Sequence, residues 1–180
     1  RNAALITVVT DLISVHRVWF NDAADRLVVP TQEAHDLAVK YGVREDKIRL
    51  IGIPVNPALS KDEGPKDDVR ARLGWQPGLT TLLAVGSKRV PKLGEMLQGL
   101  NHSGLPIQLV ISAGGDDELY RRLQDTEWHV PTHLYRFVDT MPTFMHAADA
   151  IICKAGGLIT TESLACGLPM ILIEVLPGQE

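Results

Sequence analysis

Positive charge is scarce in this 180-residue sequence: 18 lysines and arginines stand against 22 aspartates and glutamates, a net charge of −4. Proteins that hold nucleic acid carry a basic footprint, so nucleic acid is excluded as a partner. Cysteine is scarcer still. The 2 cysteines, Cys153 and Cys166, are read as reduced small packing residues of an intracellular protein rather than a disulfide or a metal pair. No Asp-x-Asp metal motif occurs; the adjacent pairs Asp67-Asp68 and Asp116-Asp117 sit at expected helix starts and are read as caps and dipole partners. No apolar run approaches the roughly 18 residues of a membrane-spanning helix, and no signal-peptide pattern opens the chain. An initiator methionine is also missing, which makes a piece of a longer protein the expectation.

What remains is enough for a core, with 45% hydrophobic residues, and the length suits one or two domains. Leu5–Thr10 is β-branched and apolar, a buried strand ending at Asp11. Arg26–Val29 is a second strand. Thr31 caps a helix that runs to about Tyr41 and closes at Gly42, and Lys47–Ile51 is a third strand. Residues 54–66, PVNPALSKDEGPK, hold three prolines and mixed charge and read as a linker.

Beyond it strands and helices alternate. Helices are expected at Lys66–Leu73, Pro91–Leu100, Asp116–Asp125, Met141–Ala147 and Leu158–Cys166. Strands are expected at Leu79–Val85, Ile107–Ser112, His133–Val138, Ala150–Cys153 and Met170–Val175. Such alternation predicts an α/β fold, a Rossmann-like parallel sheet with helices on both faces and the strand-to-helix loops on one edge. The paired glycines Gly156-Gly157 break a strand before a helix, leaving backbone N–H groups where the helix dipole favours an anion such as a phosphate. Glu162 lies about one turn along, placed to accept hydrogen bonds from a sugar hydroxyl. A site for a phosphorylated sugar or nucleotide follows.

That closing stretch, ADAIICKAGGLITTESLACGLPMILIEVLPGQE (148–180), resembles the donor-binding signature of GT-B glycosyltransferases. The branch it resembles holds the diacylglycerol glycosyltransferases, monogalactosyldiacylglycerol synthase and the lipid II-forming N-acetylglucosaminyltransferase of the family-28 type. VVTDLISVHRVWF (8–20), IRLIGIPVNP (48–57) and RFVDTMPTFMHAADAIICKAGG (136–157) extend the resemblance over nearly the whole chain. It implies three regions: residues 1–55 as the tail of an N-terminal acceptor domain, 56–66 as linker, and 67–180 as a truncated C-terminal nucleotide-sugar donor domain.

The resemblance implies transfer of a hexose from a UDP-sugar to a hydroxyl acceptor of diacylglycerol-lipid type, inverting and metal-independent. No cofactor is implied beyond the UDP-sugar donor itself. It implies a cytoplasmic enzyme whose complete form is peripheral to the membrane and meets its surface through the acceptor domain. A UDP-sugar 2-epimerase of the same fold and a non-catalytic nucleotide-sugar-binding module are the alternatives.

The donor residues implied are Ser87, Phe137, Val138, Met141, Gly156, Gly157, Leu158, Glu162, Gln179 and Glu180. Each has a plainer reading beside it. Ser87 is either a diphosphate contact or part of an ordinary turn, and the glycines usual beyond it are replaced by Lys88, Arg89, Val90 and Pro91. Phe137 and Val138 are a base-binding strand edge or simply core; Met141 and Met145 pack the core or floor the base. Relatives often carry threonine where Ile159 stands, with Thr160 one place on. Gln179 and Glu180 are sugar-hydroxyl ligands or a polar chain end. The loop Ser112-Ala113-Gly114-Gly115 is assigned no contact. On the acceptor side stand Asp11 and His16, either facing the cleft or serving as a turn aspartate and a surface histidine. Trp19 and Phe20 are expected to pack against strands outside this chain. The catalytic base is not assigned, because the family's histidine for that role lies upstream of Arg1.

Overall fold

The computed structural model describes residues 3–61, 63–87 and 90–175. Of these, one compact unit gathers residues 3–55, 155–161 and 175, and a second gathers 56–154 with 162–174.

In the first unit three parallel strands, β1 (Ile6–Val8), β2 (Arg26–Val29) and β3 (Ile48–Leu50), lie in that order, with Ile6 beside Arg26 and Leu27 beside Ile48. β1 and β3 are shorter than expected, although Val9 N–H still reaches the Val28 carbonyl at 2.9 Å. Helix α1 (Gln32–Lys40) begins where predicted. Thr31 Oγ1 accepts the Ala34 N–H at 3.2 Å, which satisfies one of the orphan donors of a helix start. Tyr41 follows the helix, and Gly42 turns the chain at φ +90°, a conformation costly for any residue with a β-carbon. The core joins Leu27, Val29 and Ile48 of the strands to Ala34 and Ala38 of α1. Phe20 belongs to this core, packed against the Tyr41 ring at 5.6 Å, so it needs no strand from outside the chain. Trp19 beside it is 55% exposed.

The second unit follows the predicted alternation. Its helices are α2 (Lys66–Leu73), α3 (Leu93–Asn101), α4 (Asp117–Gln124) and α5 (Met141–Ala147), with α6 (Gly157–Ala165) running in from the first unit. Its strands are β4 (Thr80–Val85), β5 (Ile107–Ser112), β6 (Thr132–Tyr135), β7 (Ala150–Ala155) and β8 (Met170–Val175), ordered β6-β5-β4-β7-β8. β4 pairs in parallel with β5 and β7, and β5 with β6, so their carboxyl ends share one edge. β5, flanked on both sides, is buried at all 6 of its positions, as a near-continuous Ile-Gln-Leu-Val-Ile-Ser run requires. Its one amide, Gln108, is fully buried but satisfied by the Gln76 backbone and by Thr81 Oγ1 at 2.8 Å.

Two features depart from expectation. The residues read as linker are held against the unit: Leu59 is buried in a 3-10 turn (Pro57–Ser60) capped by Asn56. Glu63 accepts the Thr143 hydroxyl at 2.8 Å, and His146 Nε2–H donates to the Gly64 carbonyl at 2.8 Å. Asp67 is no N-cap either; its Oδ1 takes the Gly78 N–H at 3.0 Å and Arg70 at 3.1 Å, while Pro65 occupies the cap position. Asp116 does cap α4, accepting the N–H groups of Glu118 and Leu119 at 3.1 Å. Both cysteines are free, Cys153 buried with its thiol pushed up to about 11 by desolvation.

At the amino edge of the sheet Arg70 and Asp149 form an ion pair at 2.7 Å. Arg70 is 5% exposed and also donates to the carbonyls of Ala147 and Leu79. Asp149 additionally takes the Thr81 N–H at 2.8 Å and Lys66 at 3.3 Å. Desolvation pushes the Asp149 carboxyl up, but the Thr81 N–H and the two cations outweigh it and hold it below its ordinary value.

Candidate functional site

At the carboxyl edge three loops of the second unit are fastened into one rim. After β4, Gly86 N–H donates to the Ser112 carbonyl at 2.8 Å. A β-carbon built on Gly114 would lie 2.0 Å from the Gly86 carbonyl oxygen, and Gly114 turns at φ +62°, so only glycine fits there. Gly115 N–H in turn donates to the Arg136 carbonyl at 2.9 Å. The loop to which sequence reading assigns no contact is thus the clasp between the other two. Its paired glycines were the available signal; their partner 28 residues upstream in the chain was not visible.

Ser87 lies on this rim in a cavity of about 320 Å³ that it shares with Asp116, Glu118 and Arg122. Among the described residues no other predicted donor residue lines that cavity. Lys88 and Arg89 lie outside the described residues. β6 stops at Tyr135, which corrects the expected strand His133–Val138. Arg136 leaves the sheet for a bidentate pair with Asp117 at 2.6 and 2.9 Å, and Phe137 and Val138 follow in a loop. They part ways there: Phe137 is 64% exposed, whereas Val138 is buried. Met141 opens α5 half-buried, and Met145 is buried.

Gly156 precedes α6, and Gly157 is its first residue. Thr160 N–H closes the first turn on the Gly156 carbonyl at 3.0 Å, and the Thr161 hydroxyl is spent on the Gly157 carbonyl at 2.8 Å. The N–H groups of Gly157 and Leu158 find no partner among the described residues, as the first N–H groups of a helix have no intrahelical acceptor. Leu158 is 52% exposed.

Glu162, further along α6, is half-buried and its carboxylate makes no hydrogen bond or ion pair among the described residues. Burial without a partner raises its carboxyl above the ordinary value. Cys166, one turn on, is raised by desolvation and then by the Glu162 charge, and its thiol points at the Leu59 carbonyl at 4.0 Å. Gln179 and Glu180 lie outside the described residues.

In the first unit His16 is exposed and occupied locally: Nδ1 accepts the Val18 N–H at 3.2 Å, capping the 3-10 turn Arg17–Trp19. It also borders a cavity of about 560 Å³ with Ser14, Arg17 and Tyr41. Asp11 is half-buried. Among the described residues no group of three or more histidine, cysteine or acidic side chains is placed to hold a metal ion. Nor is any helix among them long and apolar enough to cross a membrane.

Two parallel α/β units, the second with its loops gathered at one edge and a glycine-started helix, define a protein of the GT-B class. Solved structures of that class share the fold. HepE of Anabaena in complex with UDP-glucose matches at a TM-score of 0.59 with 15% identity, over 94% of this chain and 53% of that one. MurG of Acinetobacter baumannii matches at 0.60 and 18%, over 98% and 47%. A UDP-N-acetylglucosamine 2-epimerase from Rickettsia bellii matches at 0.59 and 18%, over 83% and 42%.

The chain belongs to glycosyltransferase family 28, whose C-terminal domain matches residues 80–179. Residues 1–55 match the monogalactosyldiacylglycerol (MGDG) synthase family. Monogalactosyldiacylglycerol synthase 3, chloroplastic, of Arabidopsis thaliana is 32% identical over the whole chain and 40% of its own length. A probable monogalactosyldiacylglycerol synthase, chloroplastic, of Glycine max is 34% identical over 97% of the chain and 34% of its own length. The chain therefore spans between a third and two fifths of the length of these relatives.

Proposed function

We propose that this chain binds a UDP-sugar and belongs to an enzyme that transfers the hexose to a hydroxyl of a diacylglycerol-type lipid. The observation that carries this reading is the succession of two family matches on one chain, MGDG synthase over 1–55 and the family-28 C-terminal domain over 80–179. Residues 1–55 are then the acceptor-side segment, 56–66 the connection and 67–180 the donor domain. Epimerisation is the weaker reading, since the epimerase likeness is one of fold, whereas the sequence relatives named above are synthases.

On this reading the free N–H groups of Gly157 and Leu158 receive the diphosphate, and Glu162 accepts the ribose hydroxyls. The rim of Ser87, Phe137 and Val138 holds the remainder of the nucleotide, with Met141 beneath the base and Gln179 and Glu180 on the transferred sugar. As the bond from the anomeric carbon to the diphosphate oxygen breaks, charge grows on the diphosphate. Helix N–H groups already aimed there stabilise that charge without reorganising, which lowers the barrier. Inversion and metal independence belong to the same proposal, the second because the sequence has no Asp-x-Asp pair; turnover of the complete enzyme should survive a chelator. The proposal places the complete protein on the cytoplasmic side of a membrane surface, and fractionation of cells checks that compartment.

Calorimetric titration with UDP, ADP and GDP tests the donor assignment. UDP should bind more tightly than the two purine nucleotides, and equal affinities would overturn the uridine reading.

A further inference from the structure

At the amino edge of the second unit's sheet, opposite the rim that carries Ser87, two histidine rings meet. His102 follows α3 on the way to β5, and His129 leads toward β6. Their ring centroids lie 4.8 Å apart at an interplanar angle of 48°. Both residues are exposed and border a cavity of about 350 Å³ together with Gly104 and Leu105.

Buried structure fixes this spacing. Asn101, 1% exposed, donates from Nδ2 to the Glu127 carbonyl at 2.8 Å and accepts the His129 N–H on Oδ1 at 2.6 Å. His102 N–H closes the end of α3 on the Gln98 carbonyl at 3.2 Å. One buried amide thus ties together the two backbones that carry the imidazoles. Neither imidazole makes a hydrogen bond or ion pair among the described residues. The other histidines differ: His16 caps a turn, His35 meets Asp36, His146 holds the Gly64 carbonyl and His133 is half-buried beside the Trp75 ring.

Neutral imidazole is the commonest protein ligand for metals and suits zinc, copper and nickel. With metal–nitrogen bonds of about 2.0–2.1 Å and an angle between a right angle and a tetrahedral one, two imidazoles on one ion hold their centroids about 4.5–5.2 Å apart. The observed 4.8 Å falls inside that range. The outer torsion of histidine is soft, so a nitrogen of each ring turns toward a shared ion with the backbone in place. The surroundings suit a cation. Residues 101–107 and 125–135 contain no lysine or arginine, and the second stretch holds Asp125 and Glu127. His102 also stands at the negative, C-terminal end of the α3 dipole.

We infer that His102 and His129 form a two-histidine chelate for a borderline divalent transition metal, Zn²⁺, Ni²⁺ or Cu²⁺, with water in the remaining positions. Mg²⁺ and Ca²⁺ take oxygen ligands and do not match this donor set. Bound there, the ion clips the end of α3 to the approach to β6. It does not touch the rim that carries Ser87, so the inference stands apart from the donor reading.

The test is calorimetric titration of the metal-free complete protein with Zn²⁺, and with Mg²⁺ as the control ion, for wild type, His102→Gln and His129→Gln. Thermal melting with and without Zn²⁺ accompanies it, each protein being compared with its own metal-free value. Either variant should weaken Zn²⁺ binding about tenfold or more, no less than the cost of disturbing a ligand's hydrogen-bond partner. Zn²⁺ should raise the melting temperature of wild type, because an ion that binds the folded chain stabilises it, and should raise that of the variants less. Mg²⁺ should do neither. Identical Zn²⁺ isotherms for the three proteins overturn the inference and leave the rings merely stacked. Loss of binding in one variant but not the other also overturns it, since a chelate needs both rings.

Discussion

Two carboxylates of the second unit stand in opposite circumstances. Asp149, at the amino edge of the sheet, is held by a buried guanidinium, an ammonium and a backbone N–H, and its carboxyl sits below the ordinary value. Glu162, on the helix that follows the glycine loop, is half-buried with no partner and sits above it. The same chemical group therefore stabilises the fold at one end and burdens it at the other. A carboxylate desolvated without compensation is a candidate for function, because perturbed carboxyls gather at functional sites. On the proposed reading the comparison separates where the molecule is built from where it binds.

The sharpest way to break the comparison is to remove Asp149. Asp149→Ala leaves the buried Arg70 with only carbonyls and the half-exposed Asp67 for company. Breaking a fully buried pair costs about 3–5 kcal/mol, and the partial exposure of Asp149 brings the expected loss toward ~3 kcal/mol. Chemical denaturation measures it. The folded fraction should bind UDP as before; a loss of affinity without a loss of stability would put Asp149 on the wrong side of the comparison.

Removing Glu162 should do the reverse. Glu162→Ala loses the charged acceptor of the ribose hydroxyls, about 1.5–3 kcal/mol of UDP binding, or one to two orders of magnitude in Kd. Stability should stay within about 0.5 kcal/mol, because no partner is abandoned. Titration and melting of one preparation give both numbers, and unaltered UDP affinity would make Glu162 an ordinary helix residue.

Why the two carboxylates look alike in the sequence is instructive. Each belongs to the quoted motif, yet Asp149 finds Arg70 across 79 residues, a pairing that no local pattern announces. What was legible is what periodicity and punctuation determine locally. Arg26–Val29, Lys66–Leu73, Ile107–Ser112, Met141–Ala147 and Met170–Val175 fall on the bounds read from the sequence. Thr31, Asp116 and Gly42 likewise punctuate as their chemistry demands. What was not legible depended on distant partners. β6 ends early because Arg136 turns to Asp117, and Phe20 is core because Tyr41 comes to meet it. Gly114 is glycine because Gly86 presses on it. Of the candidate site, the helix start and Glu162 could be read from residue order; that their N–H groups and carboxylate lack partners among the described residues could not.

The smallest and most discriminating expectation is one of sign with pH. Asp149 has a folded value below its ordinary 3.8, so the unfolded chain binds more protons across that window. Its stabilisation is present above about 3.8 and is lost as pH falls through the folded value. Glu162 has a folded value above its ordinary 4.5, so the native state keeps its proton longer. Its contribution to stability is best at low pH and declines as pH rises through the window above 4.5. Ligand binding inverts that second trend. On the proposed reading ribose hydroxyls donate to the ionised carboxylate, so UDP favours the deprotonated form and draws its raised value back down. Affinity should therefore weaken as pH falls toward the Glu162 value, and binding there should release a proton. UDP titrates on its own account, so the measurement is the ratio of wild-type to Glu162→Gln affinity from pH 7 to pH 5, with calorimetry in two buffers of different ionisation enthalpy. The ratio should shrink toward the acid end. A ratio constant with pH would mean that the Glu162 carboxylate takes no part in holding the nucleotide.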